Sequence, residues 1–126
     1  MRHNDRSWVY FAQRPDGDIK IGTIVKWHFI SRMCSLWREH GSIRVLGVIE
    51  GGRSKESELH DMFHEYRRRS QKRANWTIYT EFFESNDDLL RYIQENSEDL
   101  SQFKNYRGKR RTHDYFGFDQ KAKDAA

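Results

Sequence analysis

The stretch Ser7-Trp8-Val9-Tyr10-Phe11-Ala12-Gln13-Arg14-Pro15-Asp16-Gly17-Asp18-Ile19-Lys20-Ile21-Gly22 decides how the fold begins. Trp8, Val9, Tyr10 and Phe11 form the centre of an expected strand, Ser7 to Gln13, because aromatic and β-branched side chains suit a pleated surface. Arg14 to Asp18 is a turn. Pro15 presets φ, Asp16 suits the second turn position, and Gly17 can take a positive φ. Ile19 to Gly22 returns as the second strand. A three-residue loop with Gly17 as its left-handed residue pairs Gln13 with Ile19. Val9, Phe11, Ile19 and Ile21 then share an apolar face, while Tyr10, Ala12, Lys20 and Gly22 share the other. A slip of one residue would mix Lys20 into the apolar set, so the pattern selects this register.

Outward from the hairpin, Phe29 to Arg38 reads as a short helix. Phe29, Met33, Leu36 and Trp37 form its apolar stripe, with Arg32 on the border. His40-Gly41-Ser42 ends it. Ile43 to Glu50 is a strand apolar on both faces, which predicts a central, doubly covered position. Ser54 reads as the N-cap of a second helix running to about Arg68, with stripe Leu59, Met62, Phe63 and Tyr66 and with Glu56 on its border. Ser70 to Ala74 reads as a loop and Trp76 to Phe83 as extended chain. Ser85 with Asp88 resembles a capping box, opening a helix that extends as far as Phe103. The order is α/β-mixed, of the α+β kind: strand, strand, helix, strand, helix, then a further helix. Residues 1–103 read as one domain and 104–126 as a basic, partly mobile tail.

Composition narrows the function classes. The chain has 126 residues, 23 Lys+Arg, 19 Asp+Glu, six His and one Cys, a size for one domain. No apolar run is long enough to span a bilayer. Met1 to Arg6 has no apolar segment behind it, so no secretion signal is expected. Cys34 alone can build neither an internal disulfide nor a cysteine zinc cluster, and an intracellular setting follows as the expectation. The net charge of +4 is concentrated. Arg67, Arg68, Arg69, Lys72 and Arg73 form one run without acids, and Lys104, Arg107, Lys109, Arg110 and Arg111 form another. Basic runs interleaved with aromatics suit a polyanion such as nucleic acid. A solvated surface accounts for the same runs.

Tyr10, Lys20, Arg32 and Glu56 come from one hairpin face and from the borders of two helical stripes. If both helices cover the sheet, the four can converge on one edge. Taken alone, each has a simpler reading: a half-buried strand aromatic, a strand-edge charge, a snorkelling helix residue and a first-turn acid.

In order, the chain carries Trp8-Val9-Tyr10-Phe11, Ile19-Lys20-Ile21-Gly22, Arg32 with Leu36, Leu46-Gly47-Val48-Ile49-Glu50-Gly51, Glu56-Ser57-Glu58-Leu59-His60 with Phe63 and Arg67, and Glu81-Phe82-Phe83. This series resembles the GIY-YIG nuclease superfamily, in the branch common in phage proteins where Lys replaces the second Tyr of the family name. The resemblance spans roughly Trp8 to Phe83. The chain departs from the family in having Trp8 for the first motif's Gly, a longer gap from Gly22 to Arg32, an added segment over Ser70 to Thr80, and Phe82 for a Trp.

The resemblance implies a small three-stranded antiparallel sheet flanked by helices. It also implies hydrolysis of phosphodiester bonds that depends on a divalent metal, Mg²⁺ or Mn²⁺. It makes Tyr10, Lys20 and Arg32 catalytic and Glu56 both catalytic and the metal ligand. A carboxylate suits Mg²⁺, which keeps several waters. Arg32 can donate two bonds to phosphate oxygens. Tyr10 would act as general base. Its ordinary pKa of ~10 is high, and Lys20 nearby would lower it by stabilising phenolate. His60 and His28 are expected as supporting or phosphate contacts. Arg67, Arg68, Arg69, Lys72, Arg73, Lys109, Arg110 and Arg111 are expected to hold the substrate backbone. The expected partner is DNA, with RNA also compatible, in the cytoplasm of a bacterial or phage-infected cell. A catalytically silent nucleic-acid-binding module on the same fold is the alternative.

Overall fold

The computed structural model describes residues 6–73 and 76–98, with the backbone alone for 71–73 and 76–78. The elements are β1 (Ser7–Gln13), β2 (Ile19–Val25), α1 (Phe29–His40), β3 (Arg44–Glu50), α2 (Arg53–Met62), β4 (Arg67–Arg73), β5 (Trp76–Phe83) and α3 (Asp87–Asn96). The strands form one five-stranded sheet in the order β3-β1-β2-β5-β4, and every pairing is antiparallel. The three-stranded sheet expected from the resemblance is therefore corrected, among the described residues, to five strands with three helices.

The opening hairpin has the expected register, Gln13 opposite Ile19 and Tyr10 opposite Gly22. Gly17 takes φ 101°, and its amide donates to the Arg14 carbonyl at 2.9 Å. The two faces predicted from alternation are the two cores. Trp8, Tyr10 and Ala12 pack with Phe29, Met33 and Leu36 of α1. Val9, Phe11, Ile19 and Ile21 pack with Leu59 and Phe63 and with Leu89 and Ile93 of α3. Cys34 packs at the margin of the α1 cluster.

Four other expectations are corrected. The strand read as central, β3, lies at the sheet edge. It is apolar on both faces because α1 covers one side while α2 and α3 cover the other. Its outer edge is met by Glu98, whose amide donates to the Val48 carbonyl at 2.8 Å. The second helix does not reach Arg68. It ends at Met62, passes through a 3-10 turn at His64–Tyr66, and becomes β4 at Arg67. The segment read as a loop is thus a strand paired with β5. Its side chains explain the switch. Arg68 binds Asp18 at 3.0 and 3.1 Å. The neighbouring Arg67 donates to the Thr80 carbonyl at 2.7 Å and lies over the Tyr79 and Phe83 rings. Finally, α3 is capped by Asn86, whose side chain accepts from the Leu89 amide, instead of by Ser85. The helix ends at Asn96, and Phe103 with the tail lies outside the described residues.

Candidate active site

The register of the hairpin fixes the first component. Gly22 lies opposite Tyr10, and the tyrosine ring lies across it. A Cβ at residue 22 would meet Tyr10 Cζ and Oη at 2.6 Å. Phe29 from α1 meets the ring edge-on, with centroids 6.4 Å apart. Tyr10 is fully buried, and its hydroxyl completes no hydrogen bond among the described residues. Arg32 lies one helical turn beyond Phe29, and its guanidinium acts on that hydroxyl. Burial pushes the phenol up to about 12, against the pull of the Arg32 guanidinium, and the Glu81 and Glu56 carboxylates push the same way as burial.

Lys20 was expected beside Tyr10 as the group lowering its pKa. The structure gives that part to Arg32. The Lys20 ammonium is instead 2.6 Å from Glu81 Oε1 and 5.3 Å from the centre of the Phe82 ring. The cause is the added strand. Lys20 pairs with Phe82 across β2 and β5, which brings Glu81 alongside. Burial opposes ionisation of Glu81, but Lys20 holds its carboxyl below the usual carboxylate range.

Only Ile19 and Lys20 of β2 pair with β5. Beyond them α2 delivers the remaining components. His60 is buried, and its Nε2 lies 3.0 Å from the Ile21 carbonyl. A carbonyl only accepts, so this nitrogen carries the proton. The same nitrogen is 3.4 Å from Glu56 Oε2, and the Phe83 ring packs on the imidazole at 5.3 Å. Glu56 Oε1 accepts a hydrogen bond from the Thr23 hydroxyl. The Glu56 carboxyl adds to the groups that favour ionised Glu81. Tyr10 and Arg32 therefore approach from the α1 side, Glu56 and His60 from the α2 side, and Lys20 with Glu81 join them at the β2 edge.

The donor set fits a hard divalent cation. Each Glu56 oxygen has one neighbouring donor, and a carboxylate oxygen has two lone pairs. Among the described residues no three His, Cys, Asp or Glu side chains form a ready-made cage. A Mg²⁺ site needs none, since it is commonly built from one or two carboxylates and waters. A groove of ≈ 560 Å³ opens beside the cluster, lined by Ser7, Thr23, Ile24, Val25, Gly52, Arg53 and Ser54.

The other expected residues divide. His28 is exposed and has the Trp27 ring as neighbour at 6.4 Å. Arg68 is tied to buried Asp18, which makes it a structural anchor instead of a free phosphate contact. Arg67 is engaged with β5, and Arg69 is exposed on β4. Lys72 and Arg73 belong to β4 by backbone alone, and Lys109, Arg110 and Arg111 lie outside the described residues. Sequence reasoning gave no role to Thr23 or Glu81. Alternation from Ile21 puts Thr23 on the α2 face, and that signal was present. Glu81 needed the pairing of β5 with β2.

Comparison with protein-family models, with curated proteins and with solved structures finds no match to this chain. Among the described residues no helix is long and apolar enough to cross a membrane.

Proposed function

We propose that this protein is a divalent-metal-dependent endonuclease of GIY-YIG type that hydrolyses phosphodiester bonds in DNA. One observation carries the reading: the Tyr10 phenol on β1 lies within the electrostatic influence of Arg32 on α1 and of Glu56 on α2. Glu56, oriented by Thr23 and His60, would hold Mg²⁺ or Mn²⁺. The ion when bound supplies Lewis-acid stabilisation and a more acidic water. Arg32, exposed and always cationic, meets the phosphate oxygens as negative charge builds on them. The attacking water gives its proton to Tyr10 Oη while its oxygen bonds to phosphorus. The P–O bond to the leaving oxygen breaks, and that oxygen is protonated from solvent. Exposed Arg53 and Arg69 supply salt-sensitive, sequence-independent affinity for the backbone. In this reading the chain works in the cytoplasm of a bacterial or phage-infected cell.

A phenol at about 12 is a scarce base at neutral pH. Its ionised fraction grows about tenfold per pH unit below the pKa, so single-turnover cleavage should rise on about that slope between roughly pH 7 and 9. Tyr10→Phe should cut the rate and flatten the slope. Equal rates and slopes for the two proteins would remove Tyr10 from the base role. DNA binding without cleavage at any pH would favour a silent binding module.

A further inference from the structure

We infer that Tyr79 on β5, flanked by His64, Arg67 and Arg69, is a stacking platform for an unpaired nucleotide. The inference rests on the reading above, in which the chain acts on DNA, and adds the form that DNA takes: a strand that is single along this face.

The β4–β5 register builds the patch. Arg69 pairs with Tyr79 across the two strands, which puts both side chains on one face. Arg67 donates through Nε to the Thr80 carbonyl at 2.7 Å, and its guanidinium lies 5.4 Å from the centre of the Tyr79 ring. From the turn after α2, the exposed His64 ring meets the same tyrosine at 5.0 Å. Tyr79 therefore has neighbours on β4 and on that turn, yet it is 43% exposed. An exposed aromatic with two side-chain torsions loses little freedom when another ring settles on it.

Charge selects the occupant. Arg67 and Arg69 stand beside the ring, and Arg69 is exposed and makes no ion pair among the described residues. The acid two residues along β5, Glu81, is already paired with Lys20 at 2.6 Å. A nucleotide presents a flat base together with a phosphate, which is the complement of a ring among cations. A carboxylate-rich peptide would satisfy the arginines without using the ring. In a duplex the base faces are covered by their neighbours, so only an unpaired base can use Tyr79.

The patch lies on the sheet face that α2 covers, since Arg67 is 5.8 Å from the Phe83 ring, on which His60 packs. Glu56, His60 and His64 follow at four-residue spacing. Helical rise then separates Glu56 from His64 by roughly 12 Å, about three to four nucleotides of a stacked strand. One strand can therefore reach both Glu56 and Tyr79.

The test is fluorescence anisotropy of the full chain with a short labelled thymidine strand and with a blunt duplex of equal length, in EDTA at low salt. Wild type, Tyr79→Ala, Tyr79→Phe and Arg69→Ala are compared, with circular dichroism and thermal melts to show that each is folded. Tyr79→Ala should bind the single strand about fivefold or more weakly, the scale of one lost base stack, and the duplex within about twofold of wild type. Tyr79→Phe keeps the ring and should bind the strand as wild type does. Arg69→Ala should weaken both and lower the salt slope by about one. Unchanged strand affinity in Tyr79→Ala, or equal losses on strand and duplex, would overturn the inference; plasmid nicking by the wild type in Mg²⁺ would still leave the proposed function standing. A loss in Tyr79→Phe as large as in Tyr79→Ala would overturn stacking as the mode of binding. Tighter binding of a poly-glutamate peptide than of the strand would overturn it in favour of an acidic protein partner. Tyr79-dependent strand binding by a protein that never nicks DNA would support the inference and contradict the nuclease reading.

Discussion

Gly22 shows how closely one residue can be tied to the site. The Tyr10 ring occupies the space that a side chain at position 22 would need, at 2.6 Å from the ring's Cζ and hydroxyl. The neighbour is an aromatic clamped by Phe29 with no exposed surface, so it cannot swing away at little cost. Gly22→Ala should destabilise the fold by about 1–3 kcal/mol, the usual scale of overpacking. It should also move the Tyr10 hydroxyl and lower cleavage. Urea unfolding beside a cleavage assay checks both, and a variant with wild-type stability and rate would contradict the packing described. The Tyr10–Gly22 pairing was legible in the sequence, because turn chemistry and alternation fix the register together. The partner of Lys20 was not. Hairpin alternation puts Lys20 on the face of Tyr10, but whether it serves Tyr10 or Glu81 depends on a strand sixty residues away in the chain.

At the scale of elements, the β4–β5 hairpin is the addition that changes the site. Its sequence misleads because Leu59, Met62, Phe63 and Tyr66 continue a helical stripe. Local periodicity cannot register that β5 offers the next residues a ladder. Nor can it register that Asp18, in the first turn, offers Arg68 a two-pronged partner. The same limitation explains β3. Apolar residues on both faces report that helices cover both faces, and they do not distinguish centre from edge. Asp18 is buried and also binds Arg14 at 3.0 Å, so it ties the β1–β2 turn to β4. Asp18→Asn should cost about 1–3 kcal/mol, the loss of charge-assisted bonds at a largely buried acceptor. The cost is limited because Arg68 is half exposed and recovers water. Thermal or urea unfolding reads this directly. An unchanged midpoint would show that the hairpin is held by its ladder alone.

Across the whole molecule, the sheet carries two separate cores, and the candidate site lies where both approach the edge of β2. The amphipathic faces, the helix α1 and the order of the first five elements could be read along the chain, since each rests on local spacing. The convergence of Tyr10 with Glu56 was legible only on the condition that both helices cover the sheet, and α1 and α2 cover opposite faces. β5 pairs with β2 at Ile19 and Lys20. Thr23 and His60 both contact Glu56 beside that pairing. The most direct measurement is cleavage of supercoiled plasmid in Mg²⁺ by wild type and by Glu56→Ala, with plasmid binding checked at low salt. Wild type should convert the plasmid to nicked circles, and Glu56→Ala should bind it without nicking. Equal nicking by both proteins, or binding without nicking by the wild type, would contradict a metal-dependent nuclease centred on Glu56.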